Sequence, residues 1–331
     1  MRCAVLLVMA ALSSVGTCTP SRADDAAPLV LEAKIPLGEV RGRIDHMAID
    51  PVRQRLFVAE LGNDSVGVVD LKAGKVLRRI VGLSEPQGVG YVPSTDTLYV
   101  ADARDGSVRL FQGSDLAPTG RIDLGDDADN IRVDVEANKV FIGYGGGALA
   151  VIDAINRGKV ADIALKAHPE GFQLDAAGGR IFVNLPDARQ IAIINGAAGR
   201  VSGALPLKEA RSNFPMALDR DNNNLLIVTR APPKLVAFGL ADLLSRPTVE
   251  TCGDADDVFV DSRRHRIYVS CGEGFVDVFQ TRGGRYERLD RVSTVSRART
   301  SFFASMLDRL FLAVRATGSE PASIWVFRPR P

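Results

Sequence analysis

The sequence has one tryptophan, three histidines and four cysteines in 331 residues. These shortages remove several chemistries. No Cys-x-x-Cys pair occurs, so there is no dithiol redox motif, no zinc motif of that spacing and no Cys-x-x-Cys-His haem attachment. No Gly-x-Ser-x-Gly nucleophile elbow occurs either. Beyond the first few residues, no apolar run approaches the roughly 18 residues of a membrane-spanning helix. An excess of either charge is also missing, with 41 Lys and Arg against 40 Asp and Glu. A near-neutral chain has no global field to hold a polyanion, so bulk nucleic-acid binding gets no support.

The first stretch reads as a processing signal. Arg2 is followed by a short apolar run from Cys3 to Leu12, and Ser21-Arg22-Ala23 offers small residues before Asp24. This predicts a secretory signal peptide over residues 1–23, cleaved after Ala23, and a periplasmic or secreted chain. Val15-Gly16-Thr17-Cys18 is a rival lipobox that would place a lipid anchor on Cys18. Residues 1–23 hold Arg2 and Arg22 and no acid, so removing them lowers the 41 basic residues to 39, against 40 acidic. Cys252 and Cys271 are then the remaining cysteines, an even pair in an oxidising compartment. Two free thiols or one disulfide would fit; hairpin pairing puts Cys271 opposite Asp256 with Cys252 four residues earlier on the same face, which favours the disulfide.

What the chain has is a repeat. A basic or polar residue followed by three apolar ones occurs as Arg55-Leu-Phe-Val58, Thr97-Leu-Tyr-Val100, Lys139-Val-Phe-Ile142 and Arg180-Ile-Phe-Val183. It returns as Asn224-Leu-Leu-Ile227, Arg266-Ile-Tyr-Val269 and Arg309-Leu-Phe-Leu312, at spacings of 42, 42, 41, 44, 42 and 43 residues. Around each copy lie four short apolar runs with Gly, Asp and Asn turns every few residues. Four strands in a repeat of this length make a propeller blade. The expected fold is all-β, a seven-bladed β-propeller of four-stranded antiparallel blades, forming a single domain over residues 24–331. The last repeat stops after its third strand, Ile324-Trp-Val-Phe327, and an orphan strand runs from Leu29 to Leu37. That strand is expected to complete blade seven and close the ring.

The phrases Asp50-Pro-Val-Arg-Gln-Arg-Leu-Phe-Val58, Pro86-Gln-Gly-Val-Gly90 and Pro169-Glu-Gly-Phe172 resemble the YVTN-type β-propeller repeats of exported bacterial proteins. The resemblance covers Leu29 to the C-terminus. It implies a binding or surface protein, and related propellers include lactonases and quinoprotein dehydrogenases. The latter carry repeated tryptophan docking motifs, whereas Trp325 stands alone here and reads as core packing in a third strand.

Propeller ligands bind where loops vary over fixed sheets. Aligning the repeats gives a column just before each first strand: Asp45, Gln87, Asp129, Glu170, Phe214, Asp256 and Arg299. Two residues earlier lies the column Arg43, Glu85, Asp127, His168, Ser212, Asp254 and Arg297. His46, Asn130 and Asp257 adjoin it. The candidate ligand-binding set is therefore Arg43, Asp45, His46, Gln87, Asp129, Asn130, His168, Glu170, Asp256, Asp257, Arg297 and Arg299. Blades two, three, four and six supply acids, while blades one and seven supply Arg43, Arg297 and Arg299. Such a lip suits a ligand bearing both charges, or a peptide, though simple solvation of a channel mouth also accounts for it.

His46 and His168 with Asp45, Asp129, Glu170 and Asp256 would also suit a hard cation such as calcium. A lactonase-like hydrolase would use it to polarise an ester carbonyl. His265 falls in a first-to-second turn on the opposite face. Asp219-Arg-Asp221-Asn-Asn223 resembles a calcium loop but has Asn224 and Arg230 where Gly and Glu are needed. Gly143-Tyr-Gly-Gly-Gly147 lacks a following helix and reads as a turn. The residues thus favour a non-catalytic module binding a small molecule, peptide or envelope protein, with no cofactor required. A metal-assisted hydrolase and a structural propeller in an envelope assembly are the alternatives.

Overall fold

Each repeat folds as one four-stranded antiparallel sheet, and seven such sheets form a closed β-propeller. The computed structural model describes residues 27–331. The expected signal segment over residues 1–23, the expected domain start at Asp24, and Cys18 lie outside the described residues. Blade one holds Met47–Asp50, Arg55–Glu60, Ser65–Asp70 and Lys75–Val81. Blades two and three begin at Pro86–Val92 and Ile131–Asp134, blades four and five at Phe172–Asp175 and Arg211–Asp219, and blades six and seven at Ala255–Asp261 and Ser301–Ala304. Among the described residues, helix is confined to two single 3-10 turns, Leu61–Asn63 and Pro93–Thr95.

The repeated apolar phrase forms the second strand of every blade, as in Arg55–Glu60 and Thr97–Asp102. Its continuous apolar run is explained by burial on both faces, since each blade is sandwiched between two others. Seven apolar clusters result, one per blade interface. One joins Met47, Leu56 and Val58 of blade one to Phe311, Ala313 and Ile324 of blade seven. The residue that ends each first-to-second turn adopts the left-handed conformation: Gln54, Asp96, Asn138, Gly179, Asn223, His265 and Asp308, all with φ between 49° and 62°. These turns repeat at the spacing of the phrase, which is the physical origin of the period.

The N-terminal strand Leu29–Gly38 pairs antiparallel with Ala322–Pro329 and completes blade seven. It carries the fourth strand's own irregularity. Most fourth strands hold one extra residue against the third strand: Leu77, Thr119, Val160, Ser202 and Leu289, and here Glu32. Bulges on outer strands blunt an exposed sheet edge. At Glu32 the extra side chain is used as a clasp, with Arg309 Nε at 2.5 Å and Arg328 Nε at 2.6 Å. Blade five is the exception, with only Val249–Glu250 as its fourth strand. Trp325 is only partly buried, packed against the cluster between blades six and seven with Lys34 Nζ 4.2 Å from its ring centre.

Candidate functional site

The lip is made by a β-bulge repeated at the start of the first strands. In blade one, Asp45 N–H donates to Ala59 O at 2.7 Å and Ala59 N–H donates to His46 O at 3.0 Å, so two residues face one. Asp129 and Asn130 face Gly143 in the same way, and Glu170 and Gly171 face Asn184. Register shifts leave Gln87 extra in blade two, Asp256 in blade six, and Phe214 with Pro215 in blade five. A bulge re-aims the side chain it carries. That turns Asp45, Gln87, Asp129, Glu170, Phe214 and Asp256 to the mouth, where all line a cavity. The residues just before them, such as Ile44, Ala128 and Ala255, pack inward and are buried.

The bulge corrects one expected pairing. Cys271 lies opposite Ala255, not Asp256, because Asp256 is the extra residue. Cys252 and Cys271 are bonded, with Cα atoms 5.8 Å apart. The bond ties the segment leading to Asp254 to the second strand of blade six.

Two cavities adjoin at the mouth. The deeper, about 380 Å³, runs into the channel between apolar side chains including Ile49, Val133, Met216, Phe259 and Phe302. The shallower, about 220 Å³, is lined by polar groups including Gln87, Asp127, His168 and Arg299. Arg43, Asp129, Glu170, Phe214 and Asp256 border both. His46, Asn130 and Asp257 line the deeper one. Arg297 is exposed and lines neither, in contrast to the expectation. Two close contacts draw the blades together here. A Cβ on Gly88 would sit 2.0 Å from Asp129 O, and one on Gly171 would sit 2.4 Å from Phe214 O.

Asp129 is the centre of the acidic side. Its Oδ1 lies 3.9 Å from His46 Nε2 and its Oδ2 lies 3.8 Å from His168 Nε2, ion-pair rather than hydrogen-bond distances. Burial opposes its ionisation, but the two imidazoles and Arg43 prevail and hold its carboxyl below the usual range. Burial likewise works against a charged His168, yet Asp129, the Gly145 carbonyl at 2.7 Å and Asp127 lift it to about 9. Burial, and then the charge of Asp129, push Glu170 up to about 7. Burial raises Asp257 to about 7 as well, although its Oδ2 accepts from Ser301 N–H at 2.7 Å. Burial also raises Asp45.

The expected division of charge needs correction in blade six. Arg230 Nη2 pairs with Asp256, and Arg230 Nε donates to Ala255 O at 2.8 Å. Arg299 Nη1 pairs with Asp254 at 2.7 Å. Asp254 and Asp256 of blade six are therefore neutralised, while Asp257 has no arginine partner; the other uncompensated acids of the lip lie on blades three and four. Asp45 is paired too, with Arg43 Nη2 at 2.7 Å. Arg230 was not expected at the mouth, where it lines the shallower cavity; Arg315, its equivalent in blade seven, lines neither cavity. Both stand six residues after the start of the repeated phrase, a column otherwise filled by Leu61, Ala103, Gly145, Pro186 and Gly272. That column was the available signal. Arg132, on the first strand of blade three, lines the channel and has no ion pair among the described residues.

Because guanidinium groups occupy the carboxylates of blades one and six, the acids do not gather round one point. Among the described residues no group of three or more His, Cys, Asp or Glu side chains is arranged to hold a metal ion. His265 is exposed in the first-to-second turn of blade six, 3.9 Å from Asp221. Asp219 closes its own turn by accepting from Asn222 N–H at 3.3 Å, and it also accepts from Tyr286 O–H at 2.8 Å.

No family model matches the chain, and no curated protein sequence matches it. The likeness to YVTN-type repeats is therefore carried by the repeat phrases alone. Solved structures do match. A Kuenenia stuttgartiensis hydrazine synthase chain superposes with a TM-score of 0.66 at 17% identity, covering 83% of this chain and 94% of that one. A chain from a mitotic checkpoint complex crystal structure superposes with a TM-score of 0.75 at 12% identity, covering 97% of this chain and 98% of that one. At such identities the likeness establishes the propeller fold and nothing about chemistry.

Proposed function

We propose that this chain is an exported binding module of the YVTN-like type, periplasmic or secreted, that takes its ligand at the channel mouth. The observation that carries this reading is the pair of adjoining cavities bordered by Arg43, Asp129, Glu170, Phe214 and Asp256. Several polar groups there lack a partner, including Asp129 Oδ1 and Asn130 Oδ1. Buried polar atoms without partners are rare and costly, so a ligand that supplies them gains affinity. The propeller neighbours come from a hydrazine synthase and a checkpoint complex, which is compatible with a binding or scaffold role. The test is a thermal-shift screen of small molecules and peptides on the protein and on Asp129→Asn. A ligand that stabilises the first and not the second supports the reading. Hits indifferent to the lip would sink it.

The hydrolase reading gains less support, because two of the four carboxylates a cation would need, Asp45 and Asp256, are already engaged by arginines. A melt in EDTA and then in excess calcium checks this, since a cation bound only by the folded state raises its stability. The structural reading needs an extended apolar outer edge; the outer strands expose Leu31, Leu77, Val81, Val160, Val201 and Leu289, one or two to a blade.

A further inference from the structure

We propose that the mouth is built for a zwitterion, a free amino acid or short peptide with an apolar side chain. Its ammonium group is held by Glu170 and Asp129, and its carboxylate by Arg43 across the ring. This rests on the binding reading above and names the ligand class.

The unmatched groups are sorted by kind. On blades three and four they are acceptors, apart from Arg132, which donates to Ile131 O and lies over the Phe172 ring. Glu170 lines both cavities and has no ion pair or side-chain hydrogen bond among the described residues. Asp129 Oδ1 has no hydrogen-bond partner although the residue is only 6% exposed, and Asn130 Oδ1 has none at 2%. An ammonium group offers three donors and no acceptor, which suits three such oxygens. On blades seven and one the unmatched groups are donors. Arg43 lines both cavities and its Nε lacks a hydrogen-bond partner, whereas Arg299 Nε already lies 2.9 Å from Asp256 Oδ2. Arg315 follows the second strand of blade seven, lines neither cavity, and has no carboxylate within ion-pair distance among the described residues. A carboxylate offers only acceptors, and guanidinium groups match it in shape.

Blade four stands opposite blades seven and one in a ring of seven, so the two sets face each other across the mouth. A simple anion would meet Glu170 and Asp129. A simple cation would meet the arginines. A molecule carrying both charges satisfies both sets at once. Below the polar rim, Ile49, Val133, Met216, Val258, Phe259 and Phe302 line the deeper cavity and would receive an apolar side chain.

The experiment is calorimetric titration of the protein with leucine, leucyl-leucine, N-acetyl-leucyl-leucine and leucyl-leucinamide. One or both free zwitterions should bind, and which of them does distinguishes an amino acid from a peptide ligand. Blocking either terminus should weaken binding at least about tenfold, or 1.4 kcal/mol. Glu170→Gln should remove the penalty for acetylation and keep that for the amide. Arg43→Gln should do the reverse. Equal binding of blocked and free peptides, or binding of none of the four, overturns the inference. The binding reading is judged separately: a butyrate, butylamine or sugar whose binding is lost in Asp129→Asn would keep it alive without the zwitterion. Absence of any ligand sensitive to that substitution would remove both.

Discussion

Arg230, at the end of the second strand of blade five, sets its guanidinium against the carboxylate of Asp256 in blade six. The arginine also stacks over Phe214, with its guanidinium carbon 4.0 Å from the ring centre. One side chain thus neutralises an acid of the lip, fills the gap between two blades and covers an aromatic ring at the mouth. Removing it leaves Asp256 with Arg299 alone, whose Nε lies 2.9 Å away. Arg230→Met should therefore cost about 1–3 kcal/mol, the range for losing a charge-assisted partner in a mostly buried setting. Urea denaturation of Arg230→Met, Asp256→Asn and the double variant should show coupling, with the double variant less destabilised than the sum of the singles. Strict additivity would mean that the pair contributes nothing as a pair.

The fold was legible because its signal is periodic. Seven copies of one phrase fix seven second strands, and burial between neighbouring blades explains why that phrase is apolar throughout. The lip column was legible for a related reason. Asp45, Asp129 and Glu170 share an alignment position because the same bulge recurs in each blade. The neutralisation of Asp254 and Asp256 was not legible, since their partners Arg230 and Arg299 come from the two flanking blades. Alignment of repeats finds equivalent positions within blades and is blind to contacts between them. For the same reason Arg297 fell in a site column although its side chain turns to solvent.

Gly88 shows what holds two blades at contact distance. Its backbone faces the carbonyl of Asp129 so closely that a methyl group would lie 2.0 Å from that oxygen. The next neighbour, Ile131 Cγ1, would be at 2.9 Å. Neither can yield without moving blade three. Gly88→Ala should destabilise the protein by about 1–3 kcal/mol, as overpacking of a filled interior does. It should also weaken any ligand held by Asp129, because the displaced carbonyl belongs to that residue. Gly38→Ala is the control for a glycine with open space around its Cβ, although its φ of 75° adds local strain. A Gly88→Ala protein with unchanged melting temperature would contradict this packing.

The disulfide bridges 19 residues of sequence, from Cys252 to Cys271. Both cysteines are buried, in the cluster between blades five and six. Closing a loop of this size in the unfolded chain contributes about 3 kcal/mol in the chain-entropy picture. The Cys252→Ala and Cys271→Ala double variant should lose that order of stability. Its effect should reach the mouth, because Gly272 N–H donates to Asp254 O at 2.8 Å and Asp254 pairs with Arg299. Hydrogen exchange should show earlier opening of residues 252–257 in the double variant than in the parent. Equal protection there would mean that the blade interfaces alone hold the segment.

Asp102 gives the clearest pH prediction, because blade one supplies its own comparison. There Glu60 is buried, donated to by Ser65 Oγ at 2.6 Å and paired with Arg79 Nε at 2.6 Å. Gly67 leaves room for that carboxylate, which a Cβ at Gly67 would approach to 2.5 Å. The same positions in blade two hold Asp102, Ser107, Arg121 and Arg109. The acid is one methylene shorter, and Arg121 turns instead to Asp105 at 3.5 Å. Asp102 is fully buried, and neither of its carboxylate oxygens has a hydrogen-bond partner. Burial pushes its carboxyl up to about 7; the Ser84 amide, Arg109 and Arg121 pull the other way without prevailing. An unfolded aspartate titrates near 4. The folded state therefore keeps a proton that the unfolded state releases, so this group's contribution is fully present below about pH 4. It is lost as pH rises and gone above about 7. Glu170 and Asp257, both also lifted to about 7, act in the same direction over the same window. Asp102→Asn isolates the one contribution, since an amide is uncharged throughout. Its stability, followed by urea denaturation from pH 4 to pH 8, should fall less steeply than that of the parent. At pH 8 the variant should be the more stable of the two. Parallel profiles would show that Asp102 ionises in the folded protein as readily as in the unfolded chain.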